Sequence, residues 1–98
     1  MRKVGISLEE LLNERLKKDP EFKKEWEALQ PHLNLMRAIL DARREAKVTQ
    51  KQLSILSGLD QGDISKIERG LSNPTLKTLQ KIADALDMDV SIKFTPKN

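Results

Sequence analysis

The sequence predicts an all-α fold, and three features of its 98 residues indicate it. Apolar residues recur at the three- and four-residue spacing of an amphipathic helix over most of the chain. Capping residues precede several of these stretches, and only one short segment, near the end, alternates with the period of a strand. A chain of this length ordinarily folds as one domain. We therefore predict one small helical domain with a helical N-terminal extension and a single C-terminal strand.

Two short helices are predicted in residues 1–30. Ser7 and Glu10 have the spacing of a capping box at the start of the first. Asp19 and Pro20 end this helix and begin the next, as an N-cap followed by the first helical residue. The apolar face is formed by Leu8, Leu11, Leu12 and Leu16 in the first helix and by Phe22, Trp26 and Leu29 in the second.

Four more helices are predicted after residue 30, and they span about residues 31–47, 50–57, 61–69 and 76–86. Pro31 is expected to open the first of them. Thr49 and Gln52 form a second capping box, and Gly58 suits the left-handed turn that follows. Asp60 is expected to cap the next helix. The apolar positions of these helices that we expect to be buried are Leu33, Met36, Ile39, Leu40, Leu53, Ile64, Ile67, Leu76, Leu79, Ile82, Ala83 and Leu86.

The segment Val90–Phe94 alternates apolar and polar residues, which is the pattern of a strand. No strand is predicted beside it along the chain, so its partner lies elsewhere. The candidates are Lys3–Ile6, a second copy of the chain and another protein.

The excess positive charge lies entirely in the second part of the chain. Lys and Arg number 18 against 15 Asp and Glu, which gives a net charge of +3. Residues 1–30 hold seven residues of each sign, whereas residues 31–98 hold eleven basic and eight acidic residues. We therefore place a boundary between an N-terminal helical segment, 1–30, and a second unit, 31–98.

The composition excludes several classes of function. The chain has no Cys and no Tyr, and His32 is its single histidine. Disulfides, thiol catalysis and cysteine-based zinc sites are therefore excluded, and no catalytic constellation is present. The sequence has no run of about 18 apolar residues and no apolar stretch typical of a signal peptide. We expect a cytoplasmic protein that is not an enzyme and uses no metal, cofactor, membrane or small-molecule substrate.

Two adjacent short helices carry the functional signal. Residues 50–57 and 61–69 are joined by a short turn that contains Gly58. This is the helix-turn-helix arrangement, in which the second helix enters the major groove of DNA. The strings that agree with the motif are TQKQL at 49–53, ISKIERG at 64–70, NPTLKTL at 73–79, and Ile82, Ala83, Ala85 and Leu86.

These strings closely resemble the Xre/Cro-type repressor family over Leu35–Val90. The resemblance implies a five-helix DNA-binding domain that acts as a homodimer on a palindromic operator. The flanking strings SLEELL at 7–12, DPEFKKEWEALQ at 19–30 and VSIKF at 90–94 resemble those of HigA-type antitoxins. In toxin–antitoxin modules of that type, the antitoxin neutralises a RelE/HigB-like, mRNA-cleaving toxin and represses the operon that both proteins share.

The same resemblance implies roles for individual residues. Gln50 matches a position that bonds a phosphate at a helix N-terminus, where free N–H groups favour an anion. Arg43 and Glu68 match a pair that forms an internal salt bridge, with a phosphate contact by Arg43 as the alternative. The residues expected to contact DNA are Gln50, Lys51, Gln61, Gly62, Asp63, Ser65, Lys66, Arg69, Ser72 and Asn73. On base edges, Gln can bond adenine and Lys can bond guanine.

Three positions depart from the family pattern. Gly62 stands where the family often has a side chain that contacts a base. Asp63 brings a negative charge to the groove face, where it can accept from cytosine or serve as an acidic residue of the first helical turn. Asp87 stands where the family usually has the glycine that ends the last helix, and Asp adopts the left-handed conformation less readily.

The aromatic residues of the N-terminal segment have two interpretations. Trp26 and its neighbours pack onto the helix-turn-helix core, or they form a surface for a partner, since aromatic side chains are enriched at interface centres. In the second case the expected toxin contacts are Leu12, Leu16, Phe22 and Trp26.

We therefore predict an antitoxin that binds a toxin directly and represses its own operon. The alternatives are a free-standing Xre-type repressor and an interaction module that binds protein and no DNA. In a dimer, two recognition helices are expected to lie about 34 Å apart, one turn of DNA. Because the net charge is only +3, base contacts are expected to supply much of the binding, and non-specific affinity to fall with salt.

Overall fold

Five helices follow one another in the structure, a computed structural model that describes Gly5 and residues 7–97. They are α1 (Leu8–Lys18), α2 (Pro20–Ala46), α3 (Gln50–Ser57), α4 (Gln61–Glu68) and α5 (Leu76–Ala85). The predicted all-α fold is confirmed. The chain divides into two compact units, and the second begins at Leu33.

The prediction that Pro31 opens a new helix is wrong, because α2 runs through it as one helix of 27 residues. Proline lacks an N–H, so the carbonyl of Glu27, four residues earlier, loses its helical partner. Glu27 and Pro31 are both exposed, and water can satisfy that carbonyl. One missing bond at the surface is therefore too small a penalty to break the helix.

Local capping accounts for most of the helix starts. Reciprocal capping boxes form at α1 and α3, in the pairs Ser7–Glu10 and Thr49–Gln52. Asp19 caps α2, where its Oδ1 accepts a hydrogen bond from the N–H of Phe22 at 3.1 Å. Asp60 lies at the N-cap of α4, but the predicted side-chain cap is absent. The N–H groups of Asp63 and Ile64 bond the main-chain carbonyl of Asp60 instead.

The core of the second unit consists of six buried apolar side chains. Five come from helices α2 to α5, and the sixth, Leu86, directly follows α5. The six are Ile39, Leu53, Ile64, Ile67, Ile82 and Leu86, all of them predicted core positions. Leu53 and Ile64 are fully buried, and each such side chain contributes about 1.5–3 kcal/mol through burial. Leu76, on the predicted face of α5, is 51% exposed because it is the first residue of that helix.

Left-handed residues follow four of the helices, and the one after α4 is Gly70, at φ 76°. Gly58 follows α3 at φ 79°, as predicted, and glycine adopts this conformation without strain. Lys47 after α2 and Asp87 after α5 have φ values of 57° and 58°. The position where the family usually has glycine therefore keeps the left-handed geometry with an Asp side chain.

The prediction of a strand at Val90–Phe94 is wrong for the single chain. Residues 88–97 form neither helix nor strand, and residues 89–97 are exposed. A strand needs a second strand to pair its N–H and C=O groups, and the described residues contain none. Of the candidate partner Lys3–Ile6, all residues except Gly5 lie outside the described part of the chain.

Two features are absent from the described part of the chain. None of the five helices is long and apolar enough to cross a bilayer. Across Gly5 and residues 7–97, no three His, Cys, Asp or Glu residues are grouped so that they could hold a metal ion.

Candidate nucleic-acid interface

The two helices of the motif are held together by their buried faces and by the turn between them. Leu53 of α3 and Ile64 of α4 are both fully buried in the same cluster. In the turn, the hydroxyl of Ser57 accepts a hydrogen bond from the N–H of Leu59 at 3.2 Å. This arrangement fixes the direction of α4, the expected recognition helix, relative to α3.

A buried ion pair joins the C-terminal part of α2 to α4. Arg43 Nε lies 2.8 Å from Glu68 Oε2, and Arg43 Nη2 lies 3.2 Å from Glu68 Oε1. Arg43 Nη1 also donates to the carbonyl of Val48 at 3.2 Å. The side chains of Glu68 and Arg43 are 6% and 21% exposed. The expected salt bridge is thus present, and the guanidinium of Arg43 is engaged inside the protein.

Glu68 also begins a chain of hydrogen bonds that reaches the surface. Gln50 Nε2 donates to Glu68 Oε1 at 3.0 Å, and Gln61 Nε2 donates to Gln50 Oε1 at 3.2 Å. The sequence placed Gln50 and Gln61 in the site without predicting a bond between them. The signal in the sequence was that each is the first residue of its predicted helix.

The glutamines keep part of their bonding capacity. An amide group has two N–H donors and one carbonyl acceptor. Gln50 uses its carbonyl and one N–H, so one N–H remains. Gln61 uses one N–H, so its carbonyl and a second N–H remain. The side chain of Gln61 is therefore oriented by the protein while it keeps one donor and one acceptor for a ligand.

The outward face of α4 carries the predicted groove residues. Gln61, Gly62, Asp63 and Lys66 are exposed, and Ser65 is half-buried. A Cβ added at Gly62 would meet nothing within 4 Å, so packing does not require glycine there. The absence of a side chain instead leaves an open space between Gln61 and Asp63.

The flanking residues that were predicted to contact the DNA backbone are exposed or half-buried. Lys51, Arg69 and Asn73 are exposed, and Ser72 is half-buried. Arg69 Nε bonds the carbonyl of Ser65 at 3.4 Å, near the limit for a hydrogen bond. At the α3 N-terminus the Thr49 hydroxyl accepts from the N–H of Gln52 and the Thr49 N–H donates to the Gln52 side chain, which leaves the N–H groups of Gln50 and Lys51 available for an anion.

Two basic residues beside this N-terminus were not in the predicted set. Arg44 and Lys47 are exposed and, with Thr49, help to line a shallow cavity of about 400 Å³. From the sequence they are indistinguishable from solvated charges on a helix, and only their position next to α3 distinguishes them.

The N-terminal unit has an aromatic cluster and several exposed leucines. The rings of Phe22 and Trp26 stack with centroids 6.4 Å apart, and the guanidinium carbon of Arg15 lies 4.1 Å from the Phe22 centroid. The four predicted toxin contacts, Leu12, Leu16, Phe22 and Trp26, are all half-buried. Three leucines of the predicted apolar face that were not among the predicted toxin contacts are exposed: Leu8 at 83%, Leu11 at 52% and Leu29 at 53%.

Comparison with known proteins agrees with this geometry. The family model described as helix-turn-helix matches residues 39–92, more than half of the chain. This chain belongs to the helix-turn-helix family. All four residues of the hydrogen-bond chain in this helix-turn-helix protein, Arg43, Glu68, Gln50 and Gln61, lie within the matched range.

Two relatives extend the comparison. Over 58 residues, this helix-turn-helix protein is 40% identical to an uncharacterized HTH-type transcriptional regulator of Haemophilus influenzae, a match covering 59% of each chain. Over 84 residues it is 31% identical to antitoxin HigA1 of Mycobacterium tuberculosis, covering 86% of this chain and 56% of HigA1. The chain therefore spans less than two thirds of either relative.

A solved structure shows the same fold. A chain of the solved structure "Toxin-Antitoxin module from Streptococcus pneumoniae" superposes on this helix-turn-helix protein with a TM-score of 0.56 at 23% identity. The superposition covers 94% of this chain and 97% of that one, so the likeness extends beyond the matched helix-turn-helix residues.

Proposed function

We propose that this protein is a cytoplasmic antitoxin that acts by binding alone. As a homodimer it binds operator DNA through α4 and represses its own operon, and it neutralises a RelE/HigB-like, mRNA-cleaving toxin by direct contact. The observation that carries the proposal is the hydrogen-bond chain from Glu68 through Gln50 to Gln61. A free-standing Xre-type repressor is the alternative, and similarity to a transcriptional regulator supports it.

Base recognition is assigned to the outward face of α4. The donor and acceptor left on Gln61 are the two groups that a bidentate bond to adenine N7 and N6 requires. Lys66, one turn further along, can reach guanine O6 or N7, and Asp63 can accept from a cytosine amine. Because Gln61 is already held by Gln50, less side-chain entropy is lost when it binds a base.

Backbone contacts are assigned to the residues around this face. The remaining N–H of Gln50 and the free N–H groups of α3 are positioned to bind one phosphate. The other phosphate contacts are assigned to Lys51, Arg69, Ser72 and Asn73. Contacts of this kind set the register of the protein on DNA and make its affinity depend on salt.

Toxin binding is assigned to the N-terminal unit. Its leucines Leu8, Leu11 and Leu29 are exposed and leave apolar surface accessible, and its aromatic residues Phe22 and Trp26 are half-buried. Aromatic side chains such as Trp are enriched at interface centres. Similarity to antitoxin HigA1 over 86% of this chain supports this assignment.

The DNA-binding part is tested on an operator selected from random duplexes. We expect Gln61→Ala and Lys66→Ala each to weaken binding by about ten- to a hundredfold, the value of one bidentate base contact. Gln80→Ala and Lys24→Ala are matched controls, because both residues are exposed and lie outside the proposed interface. If the folded variants bind as tightly as the controls, α4 does not read DNA and the protein-binding module becomes the better interpretation.

The toxin-binding part is tested by co-expression with the small protein encoded next to this chain, with growth and co-purification as readouts. We expect Leu8→Glu to abolish rescue, because it places a charge on a residue that is 83% exposed and has little role in folding. Ile55→Glu, at 73% exposure on α3, is the control. A harmless neighbour that never co-purifies contradicts the antitoxin assignment and leaves the repressor.

A further inference from the structure

The apolar residues of the C-terminal segment become steadily more exposed along the chain. Met88 packs against the core and is half-buried, whereas Val90 is 36%, Ile92 64% and Phe94 93% exposed. Polar residues alternate with these four, so an extended backbone places all four on one face. A segment with an apolar face and unpaired N–H and C=O groups is a template for a further strand.

We propose that residues 88–94 pair with the same segment of a second copy, as antiparallel strands related by a two-fold axis through Ser91. In this register Phe94, the most exposed of the four, lies opposite Met88 of the second copy, which already contacts the core. Ile92 lies opposite Val90. The more exposed apolar side chains of one copy, Ile92 and Phe94, thus lie against the less exposed ones of the other, Val90 and Met88.

The charges of the segment match this register. Asp89 lies opposite Lys93 of the second copy, and symmetry forms this pair twice. Opposite charges in directly facing positions stabilise paired strands, and like charges destabilise them. An axis shifted to Lys93 would set that residue against itself. On the axis through Ser91, this residue faces Ser91 of the second copy, and its side chain is small and uncharged.

A hydrogen bond after α5 determines which residue pairs exchange main-chain bonds in this register. The N–H of Met88 donates to the carbonyl of Ala83 at 2.8 Å, so Met88 and Phe94 form a non-hydrogen-bonded pair. The two kinds of pair alternate along antiparallel strands, and side chains are closest in the non-hydrogen-bonded kind. Both apolar pairs are therefore of the close kind, and the pair Asp89–Lys93 exchanges main-chain bonds.

Gly5, the one described residue of the candidate partner Lys3–Ile6, is not in strand conformation. Gly5 has φ 76°, whereas strand backbone has φ near −120° to −140°. A copy of the chain instead supplies a segment of matching charge, length and apolar pattern. The inference rests on the proposed function only in that it names the surface joining the two copies of the dimer.

Cysteine cross-linking tests the register directly, because the chain has no cysteine of its own. Ser91→Cys places two thiols opposite each other with Cα atoms about 5.5 Å apart, within disulfide range. We expect this variant to form a covalent dimer on mild oxidation without DNA. Lys97→Cys is the control, because residue 97 lies twelve residues out of register with its own copy. Equal cross-linking of the two variants, or none at Ser91→Cys, overturns the proposal.

A charge swap tests the pairing without a new covalent bond. Asp89→Lys faces Lys93 with a like charge twice, and we expect the dimer dissociation constant to rise about tenfold or more. The double variant Asp89→Lys/Lys93→Asp restores both pairs and is expected to dimerise like the original chain. A double variant as weak as the single one contradicts the register.

Both measurements are made without DNA, so failure of operator binding leaves their outcome unchanged. A chain that binds its operator but forms no Ser91→Cys dimer overturns this inference alone. A different result would assign the segment to the toxin. If the original chain is monomeric by itself and Ile92→Asp abolishes its co-purification with the toxin, the segment binds the toxin and the self-pairing is wrong.

Discussion

Arg43 and Glu68 meet in a two-point ion pair, with Nε to Oε2 at 2.8 Å and Nη2 to Oε1 at 3.2 Å. They are 25 residues apart in the sequence, and the pair ties the end of α2 to the end of α4. Glu68 is also the acceptor for Gln50 at 3.0 Å. One buried carboxylate therefore supports both the position of α4 and the orientation of the two glutamines on the surface that we propose binds DNA.

Removing this carboxylate should destabilise the fold. In Glu68→Ala the guanidinium of Arg43 stays largely buried without its partner, and we expect a loss of about 3 kcal/mol in the free energy of unfolding. The double variant Arg43→Met/Glu68→Leu replaces both charges with apolar side chains and should lose less than the single one. Urea denaturation measures the free energy of unfolding of both variants. A double variant that is less stable than Glu68→Ala contradicts this account.

The bond between Gln50 and Gln61 should appear as energetic coupling in DNA binding. Gln50→Ala removes the acceptor that holds Gln61, so part of the effect of Gln61→Ala is already lost in that background. We expect a coupling free energy of about 0.5–3 kcal/mol from a double-mutant cycle on operator affinity. Strictly additive effects would show that the two glutamines act independently.

Replacing Gly62 should stabilise the protein while harming recognition. Alanine fits without a contact within 4 Å and favours the helix by about 0.5–1 kcal/mol over glycine. The added Cβ lies on the face assigned to DNA, so operator affinity should fall while the melting temperature rises. Gly58→Ala is the contrasting variant, because its φ of 79° makes alanine destabilising there.

Asp87→Gly should raise the free energy of unfolding by about 0.5–1 kcal/mol. Asp87 has φ 58°, and the left-handed conformation strains a residue with a Cβ. Thr95→Gly serves as the control, because Thr95 is exposed, is not in the left-handed region and lies outside residues 88–94, so glycine there should give no gain. Equal changes in the two variants, measured by thermal denaturation, would exclude backbone strain as the cause.

The start of α1 should weaken in acid. Hydrogen bonds from the backbone N–H and then the side chain of Ser7 hold the pKa of Glu10 below its ordinary value of 4.5. A carboxylate with a lowered folded-state pKa stabilises the fold above its ordinary pKa, and this contribution is lost as pH falls through the folded-state value. Amide NMR signals at Ser7 and Glu10 should therefore shift below pH 4.5. In Glu10→Gln, which keeps the capping box without a titrating group, they should not.

Much of the fold could be predicted because it depends on neighbouring residues. The capping boxes Ser7–Glu10 and Thr49–Gln52 span three residues each, and the six core positions follow from helical spacing. Pro31 misled the prediction because the cost of a missing N–H depends on whether the freed carbonyl is exposed. The helix-turn-helix residues were recognisable, but the roles of individual DNA-contacting residues remain predictions.

The sequence by itself determined helices α1, α3, α4 and α5, the two capping boxes and the six core positions, since local hydrogen bonds and helical periodicity depend on residues a few positions apart. The family resemblance had already paired Arg43 with Glu68, but only the tertiary structure decided that Glu68 also bonds Gln50, and that Gln50 in turn holds Gln61. These residues are 11 to 25 positions apart, and their contact depends on how α2, α3 and α4 pack around Leu53 and Ile64. Packing of that kind depends on side-chain shape in three dimensions, which no pattern along the chain records.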